Sequence, residues 1–417
     1  MSPNMQHGRT MMAAYAKKKS VLVLGDYRQT ITVVRSLGRA GFDIVLGCEH
    51  PQSSTARSRY ITAMRVFDNS RPARFCHQLE ACLRKDRPDF VFPVGESELR
   101  CMLRHDADRL MALATWIMPD PATVLRCFDK PAVYQLATTL GIPTAPWRSF
   151  RDADGLLVDA AELGYPVVVK RQDSSATVRR KKALICHNAA QLGEFVTEIH
   201  FDPDPASLVL QKYASGIRHN CHIAADRGRL VAYFQQKVLR TDESDGTGIG
   251  IEGISVAPSP QLRGHCERLL ASLDYSGIGC IQFLVDEASG DIAFLEVNAR
   301  MDSTAALPFR LGIHFPLIAL QIAAGERVNA PAEYRVGKRY YSLYGDINVW
   351  LGQRHRLSRG ARALAMPWLA LRSYHLAFEW RDPLPALHQF WNKAVGVARK
   401  RLQRPVRKQS IESGARL

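Results

Sequence analysis

The chain has 417 residues, 46% hydrophobic and 23% charged, with a formal net charge of +16. That length gives room for two or three domains with ample core, and the composition is that of a globular protein without low-complexity tracts or internal repeats. The nine cysteines (48, 76, 82, 101, 127, 186, 221, 266 and 280) are odd in number and form no CxxC pair, so they read as buried free thiols of a reducing compartment.

The first twenty residues place their lysines after a short apolar stretch, the reverse of a secretory signal. Residues 20–48 then read strand, helix, strand: VLVLG is a buried-strand run, Gln29 to Ala40 has helical spacing closed by Gly41, and FDIVLG is the next strand. A helix over 72–85 and the strand DFVFPVGES continue a parallel βαβ pattern. Ligands of such sheets sit at the C-terminal strand ends, which places Gly25, Asp26, Gly95, Glu96 and Ser97 on the ligand side. Residues 122–140 are expected to form one helix closed by Gly141 and Pro143.

A second unit follows, with a helix ending near Leu163, the turn Gly164–Pro166, the strand VVVK, a polar loop, the strand ALIC and a helix over 188–200. FDPDPAS is a linker. LVLQKY is expected to open a third unit that runs to about 330, with strands over 220–239 and 280–297 and a helix over 260–274.

The chemistry concentrates in this third unit. QFLVDEASGDIAFLEVNAR reads as a hairpin turning at Gly290. Glu296 and Asn298 share a face by the two-residue period, and Gln282 on the first strand can oppose them. Three oxygen donors then converge, a set that suits Mg²⁺ with room left for water and phosphate oxygens. Arg300 continues the same period and suits bidentate contact with a phosphoryl group or carboxylate. The bland reading of this segment is a hairpin with a polar outer face. Upstream, Lys170 ends the strand PVVVK. The loop after it, RQDSSATVRRKK, is small, polar and basic, and suits phosphate contact through backbone N–H groups and hydroxyls. LVLQKYASG stops at a small-residue bend that suits a flat base.

Taken in order, these segments resemble the ATP-grasp superfamily over roughly residues 20–330. CFDKPAVYQLATTLGIPTAP resembles the entry to the small lobe, which puts Lys130 at the first ATP-contacting lysine and Lys170 at the second. QKYASGIRH resembles the hinge of biotin carboxylase. This implies adenine contacts at Gln211, Lys212, Tyr213 and Ala214, and a ribose-side position for His219. Gln282, Glu296 and Asn298 match the metal set of carbamoyl phosphate synthetase. NARMDSTAAL resembles its continuation, with Arg300 on phosphate and Ser303 beside the substrate. The phosphate loop departs from the family: Ser174, Ser175 and Thr177 stand where glycines are usual.

The resemblance implies a three-lobed α/β fold. It has a pre-ATP-grasp domain over 20–125, an ATP-grasp domain over 126–330 (lid lobe about 143–208, metal and ATP lobe about 209–330) and a C-terminal extension over 331–417. It also implies ATP and Mg²⁺ or Mn²⁺ as cofactors. The activity it implies is activation of a small-molecule carboxylate as an acyl phosphate for capture by an amine or other nucleophile. A second reading is a catalytically weak nucleotide-binding scaffold whose working part is the basic tail.

Gly248–Gly253 fits GxGxxG but follows an acidic stretch and leads into ISVAPSP, so it is expected to be a loop near the triphosphate, not a dinucleotide site. Residues 331–417 hold 17 Lys+Arg against 5 Asp+Glu, so most of the charge excess belongs to this extension, read as an appendage to the core. Its apolar positions 387, 390, 391, 394, 395, 398 and 402 are helically spaced, and a basic cluster runs from Arg399 to Lys408. A docked helix with a solvated end and a contact with an anionic membrane or acidic polymer both fit this pattern. No motif points to nucleic acid. The closest approach to a membrane span, Ala363–Phe378, is interrupted by Pro367, Arg372 and His375, and the protein is expected in the cytoplasm, with the tail as its one route to a membrane surface.

Overall fold

The computed structural model describes residues 18–149, 153–172, 178–179, 181–198, 208–352 and 356–402. The first lobe is a parallel sheet of β1 (Ser20–Leu24), β2 (Asp43–Cys48), β3 (Ile61–Val66), β4 (Phe90–Pro93) and β5 (Thr115–Trp116), in the order β3-β2-β1-β4-β5. β1 is buried on both faces, which is why its sequence is a continuous apolar run. The strand order reverses beside β1, so the crevice at its C-terminal end, with Gly25 and Asp26, is the switch point.

Two helices, Pro121–Phe128 and Lys130–Thr139, replace the single helix expected over 122–140. Pro131 has no N–H to continue the first helix, and the Asp129 carboxylate caps the second by accepting from the Ala132 N–H at 3.1 Å. The break sets Lys130 on the first turn of a helix, buried at 7% exposure.

The small lobe carries the antiparallel sheet β6-β9-β7-β8, made of β6 (Trp147–Ser149), β7 (Val167–Arg171), β8 (Ala183–Cys186) and β9 (Leu208–Lys212). β9 was expected to open the third unit. It pairs with β7 and β6 instead, and Leu208 and Leu210 join Val167, Val169, Leu192 and Phe195 in the small lobe's own core.

The large lobe is a seven-stranded sheet in the order β14-β13-β10-β11-β12-β15-β16. Its strands are β10 (Ile217–Asp226), β11 (Arg229–Thr241), β12 (Gly250–Ser255), β13 (Gly277–Val285), β14 (Ile292–Asn298), β15 (Arg339–Tyr341) and β16 (Tyr374–His375). The strand region expected over 220–239 is an antiparallel pair, β10 and β11, turned by Arg227 and Gly228, both at positive φ. The glycine-rich segment expected as a loop becomes β12 from Gly250 onward, paired with β11 and β15.

The described residues after 330 are not an appendage. β15 and β16 extend the large sheet, Tyr340 and Tyr341 are fully buried, and Asp346 accepts from Arg240, Arg362 and the Tyr341 hydroxyl. Further on, Asp382 and Glu379 are buried against Arg35 of the helix Thr30–Arg39, with Arg35 Nε 3.0 Å from Asp382 and 3.5 Å from Glu379. Arg39 and Arg310 also pair with Glu379. Asp382 further accepts from the Ser58 hydroxyl and the Arg59 N–H. Asp382→Ala leaves Arg35 buried without its nearest carboxylate, and breaking such a pair is expected to cost about 3–5 kcal/mol. A clear fall in the thermal midpoint checks this; an unchanged midpoint would show the C-terminal segment to be energetically uncoupled from the first lobe.

The last helix, Leu384–Leu402, docks beside Thr55–Arg57, with Ala386 buried and His388 bonded to Ser54. Of the expected apolar stripe, Leu387 and Trp391 are exposed. The side chains of the cluster Arg399–Lys408 lie outside the residues whose environment is described. Among the described residues, no helix is long and apolar enough to cross a membrane.

Candidate functional site

The hairpin β13–β14 sets Gln282 opposite Glu296 and Cys280 opposite Asn298, with a register irregularity just after Gln282. The Asn298 amide donates to Glu296 Oε1 at 2.9 Å. Gln282 and Asn298 are buried, and Glu296 is half-buried at the cleft. Burial pushes the Glu296 carboxyl up, but Lys130, the Asn298 amide, Lys170 and Arg300 together outweigh it and hold the pKa below the usual carboxylate value. The group is therefore an anion at neutral pH.

Two lysines from different lobes face this carboxylate. Lys130 Nζ donates to the Gln172 carbonyl at 3.2 Å, and the Gln172 amide donates to Asp129, the cap of the Lys130 helix. Lys170, near the end of β7, donates to Gln211 Oε1 on β9 at 2.7 Å. Surrounding protein excludes enough water to lower the Lys170 pKa to about 8, with Glu296 resisting the fall and Lys130 adding to it.

Arg300 lies past the end of β14, so the strand period does not position it. Its guanidinium reaches Glu96 of the first lobe at 3.6 Å while its charge still acts on Glu296. Ser303 is partly buried between Asp302 and Thr304.

The hinge residues divide. The Gln211 side chain is taken up by Lys170 and the Ala145 carbonyl, and the Lys212 ammonium by the Gly164 and Tyr165 carbonyls. The backbone N–H groups of Lys212 and Tyr213 donate to Pro146 and Pro166. The Tyr213 ring is exposed, and Ala214 lies in the bend before β10. His219 on β10 is buried with Nδ1 2.8 Å from the Gln235 amide. Its Nε2 is buried without a partner among the described residues, and burial lowers the ring pKa to about 4. Ser174, Ser175 and Thr177 lie outside the described residues.

Residues 129–330 match the family model described as the carbamoyl-phosphate synthase L chain, ATP binding domain. These residues are similar to the ATP-binding domain of the ATP-grasp superfamily. Its fold is similar to biotin carboxylase from Campylobacter jejuni in a complex with βγ-ATP, at 16% identity, TM-score 0.63, covering 78% of this chain and 74% of that one. The biotin carboxylase domain of Hydrogenobacter thermophilus 2-oxoglutarate carboxylase, in complex with MgADP, ADP and bicarbonate, aligns at 17% identity with the same coverages and TM-score. N5-carboxyaminoimidazole synthetase from Staphylococcus aureus aligns at 12% identity, TM-score 0.60, covering 78% and 82%.

Within this domain the donor set suits a small hard cation. One carboxylate held ionised stands beside two amide side chains and among cationic groups that a polyphosphate would neutralise.

Several residues escaped the sequence reading. Tyr27 donates to Glu98 at 2.7 Å, and Asn69 donates to the other oxygen of that carboxylate. Gly95 is needed beneath them: a Cβ there would lie 2.0 Å from the Tyr27 ring and 2.2 Å from Glu98. Arg28 donates to the Gly250 carbonyl at 3.0 Å, and Arg218 to that of Gly248 at 2.9 Å. Asp302, Thr304, Asn220, His222 and Gln236 form a buried hydrogen-bonded cluster behind the hairpin. Tyr27 and Arg28 directly follow the strand-end pair Gly25–Asp26, the one signal that pointed to them.

Proposed function

We propose that this protein is an ATP-dependent, Mg²⁺-requiring ligase that activates a carboxylate as an acyl phosphate and passes the acyl group to an amine. The observation that carries the reading is the meeting of an ionised Glu296 with Lys130 and Lys170 from two other elements and with Arg300. An ordinary polar hairpin face has no reason to gather three cations around one carboxylate.

Lys130 and Lys170 neutralise the phosphate chain, and Arg300 steadies the phosphoryl group in flight. Glu296, Asn298 and Gln282 would hold Mg²⁺, which would supply charge neutralisation on the phosphate oxygens. The segment Gln211–Ala214 lies along the adenine, and the unpaired His219 Nε2–H, protonated because Nδ1 accepts from the Gln235 amide, donates to a ribose hydroxyl. Ser303 borders the substrate. A carboxylate oxygen attacks the terminal phosphorus and ADP leaves. The amine then attacks the acyl carbon, phosphate leaves, and a proton passes to solvent. Positioning and charge neutralisation carry this chemistry without a side-chain nucleophile.

ADP release measured over a panel of acids and amines tests the reading. Release that needs both an acid and Mg²⁺ is the expected result. Nucleotide binding without release for any pair would favour the scaffold alternative.

A further inference from the structure

A cavity of about 570 Å³ opens at the C-terminal ends of β1 and β2, a size within the usual range for small-molecule sites. One wall is Asp26 to Arg28, Ile31 and the segment His50–Thr55. The other comes from the region after residue 340, through Leu343, Tyr344, Leu371, Leu376, Phe378 and Phe390. The buried pairing of Arg35 with Asp382 and Glu379 holds this second wall in place. The lining is mostly apolar and holds one arginine.

That arginine is Arg28. It is half-buried, burial lowers its pKa, and it donates to a neutral carbonyl, that of Gly250. Among the described residues no carboxylate lies within 4 Å of it, and Asp242 and Asp302 act on it only from further away. A guanidinium so placed favours an incoming carboxylate, which it can bind in two parallel hydrogen bonds. The neighbouring Tyr27 also lines the cavity, bonds to Glu98 and senses the charge of Arg300. Through Tyr27 the cavity adjoins the first-lobe side of the Glu296 centre, where Arg300 reaches Glu96.

We propose that this cavity selects the carboxylate substrate: an acid with an aliphatic or aromatic body, whose carboxylate meets Arg28 and whose body fills the space between the first lobe and the C-terminal segment. The inference rests on the ligase reading for the word substrate, but the pocket itself is tested without ATP. Asp26 also borders the cavity, bonded to Thr55 at 2.6 Å, and it disfavours a second carboxylate there. Dicarboxylates are accordingly excluded, while monocarboxylates are accepted.

Calorimetric titration of the full-length protein with straight-chain acids from acetate to decanoate, with phenylpropionate and with succinate is the test. Affinity should rise by about fourfold per added methylene until the cavity is filled, the ratio expected for burial of one CH₂. Succinate and acetate should not bind. Arg28→Leu should weaken the acids by about tenfold or more, the loss of a charged hydrogen bond, and leave the matching primary amides unchanged. Leu371, at the rim and 87% exposed, can be enlarged without touching the core, and Leu371→Trp should block the long acids. Flat affinity along the series, or equal loss of acid and amide in Arg28→Leu, would overturn the proposal. Chain-length-dependent binding without ADP release would support the pocket and overturn the ligase reading. ADP release with small polar acids that longer acids do not inhibit would leave the ligase reading standing and overturn the pocket.

Discussion

Glu296→Gln is expected to lower ADP release by a factor on the order of 10²–10³ or more, the scale seen when one preorganised electrostatic contact to a transition state is removed. The substitution keeps the shape of the side chain and its place opposite Gln282. What it removes is the single negative charge that Lys130, Lys170 and Arg300 surround. Two consequences separate a lost metal ligand from a damaged fold. The thermal midpoint should stay close to that of the unaltered protein, since Glu296 is half-buried outside the apolar core and Gln keeps its shape. The Lys170 pKa, now about 8 with Glu296 resisting its fall, should drop further once that support is gone. Asn298→Ala should follow Glu296→Gln in activity, because its amide orients the carboxylate at 2.9 Å. Gln282→Ala should be milder, since a neutral amide contributes less to holding a divalent cation. Undiminished turnover in Glu296→Gln would sink the metal assignment.

The features legible in the sequence were local ones. The β1 and β4 runs, the hairpin turn at Gly290 and the alternation that brings Glu296 and Asn298 to one face all follow from residue type and a two-residue period. What failed was pairing. Nothing within LVLQKY says that its partner is VVVKR, so β9 was allotted to the wrong lobe. Charge counting misjudged the C-terminal region for a related reason. A surplus of arginine suggests a solvated tail, but the charges that decide its place are the few acids. Asp346 collects Arg240 and Arg362, Glu379 collects Arg35, Arg39 and Arg310, and Asp382 adds a second carboxylate on Arg35, all in burial, while a count sees only the surplus. Arg300 shows a third kind of failure: the period was extrapolated past Asn298, where the strand ends, and its side chain runs to Glu96. The substrate cavity was invisible because its two walls lie some three hundred residues apart in the chain.

Lys170→Ala is expected to weaken ATP binding by about 10- to 100-fold, the range for loss of a hydrogen bond to a charged group, while AMP binding falls much less. The difference arises because the ammonium acts as a point charge on the outer phosphates, which AMP lacks. The unusual pKa gives the test a second dimension. The ammonium is charged below about pH 8 and neutral above it, displaced from the ordinary 10.5 chiefly by burial. Phosphate binding requires the charged form, so ATP affinity should be level below about pH 8 and should decline above it. Stability moves the other way for this group: between about 8 and 10.5 the unfolded chain holds a proton that the folded one has lost, so this lysine's contribution to folding becomes more favourable as pH rises through that window. Lys170→Arg, which stays charged throughout, should bind ATP with affinity level to pH 9 and above. Nucleotide titrations at half-unit steps from pH 6.5 to 9.5 on the three proteins resolve the matter. A decline near pH 8 that persists in Lys170→Ala would assign the titration to another group, and equal losses of ATP and AMP affinity would make the lysine a structural residue of the small lobe.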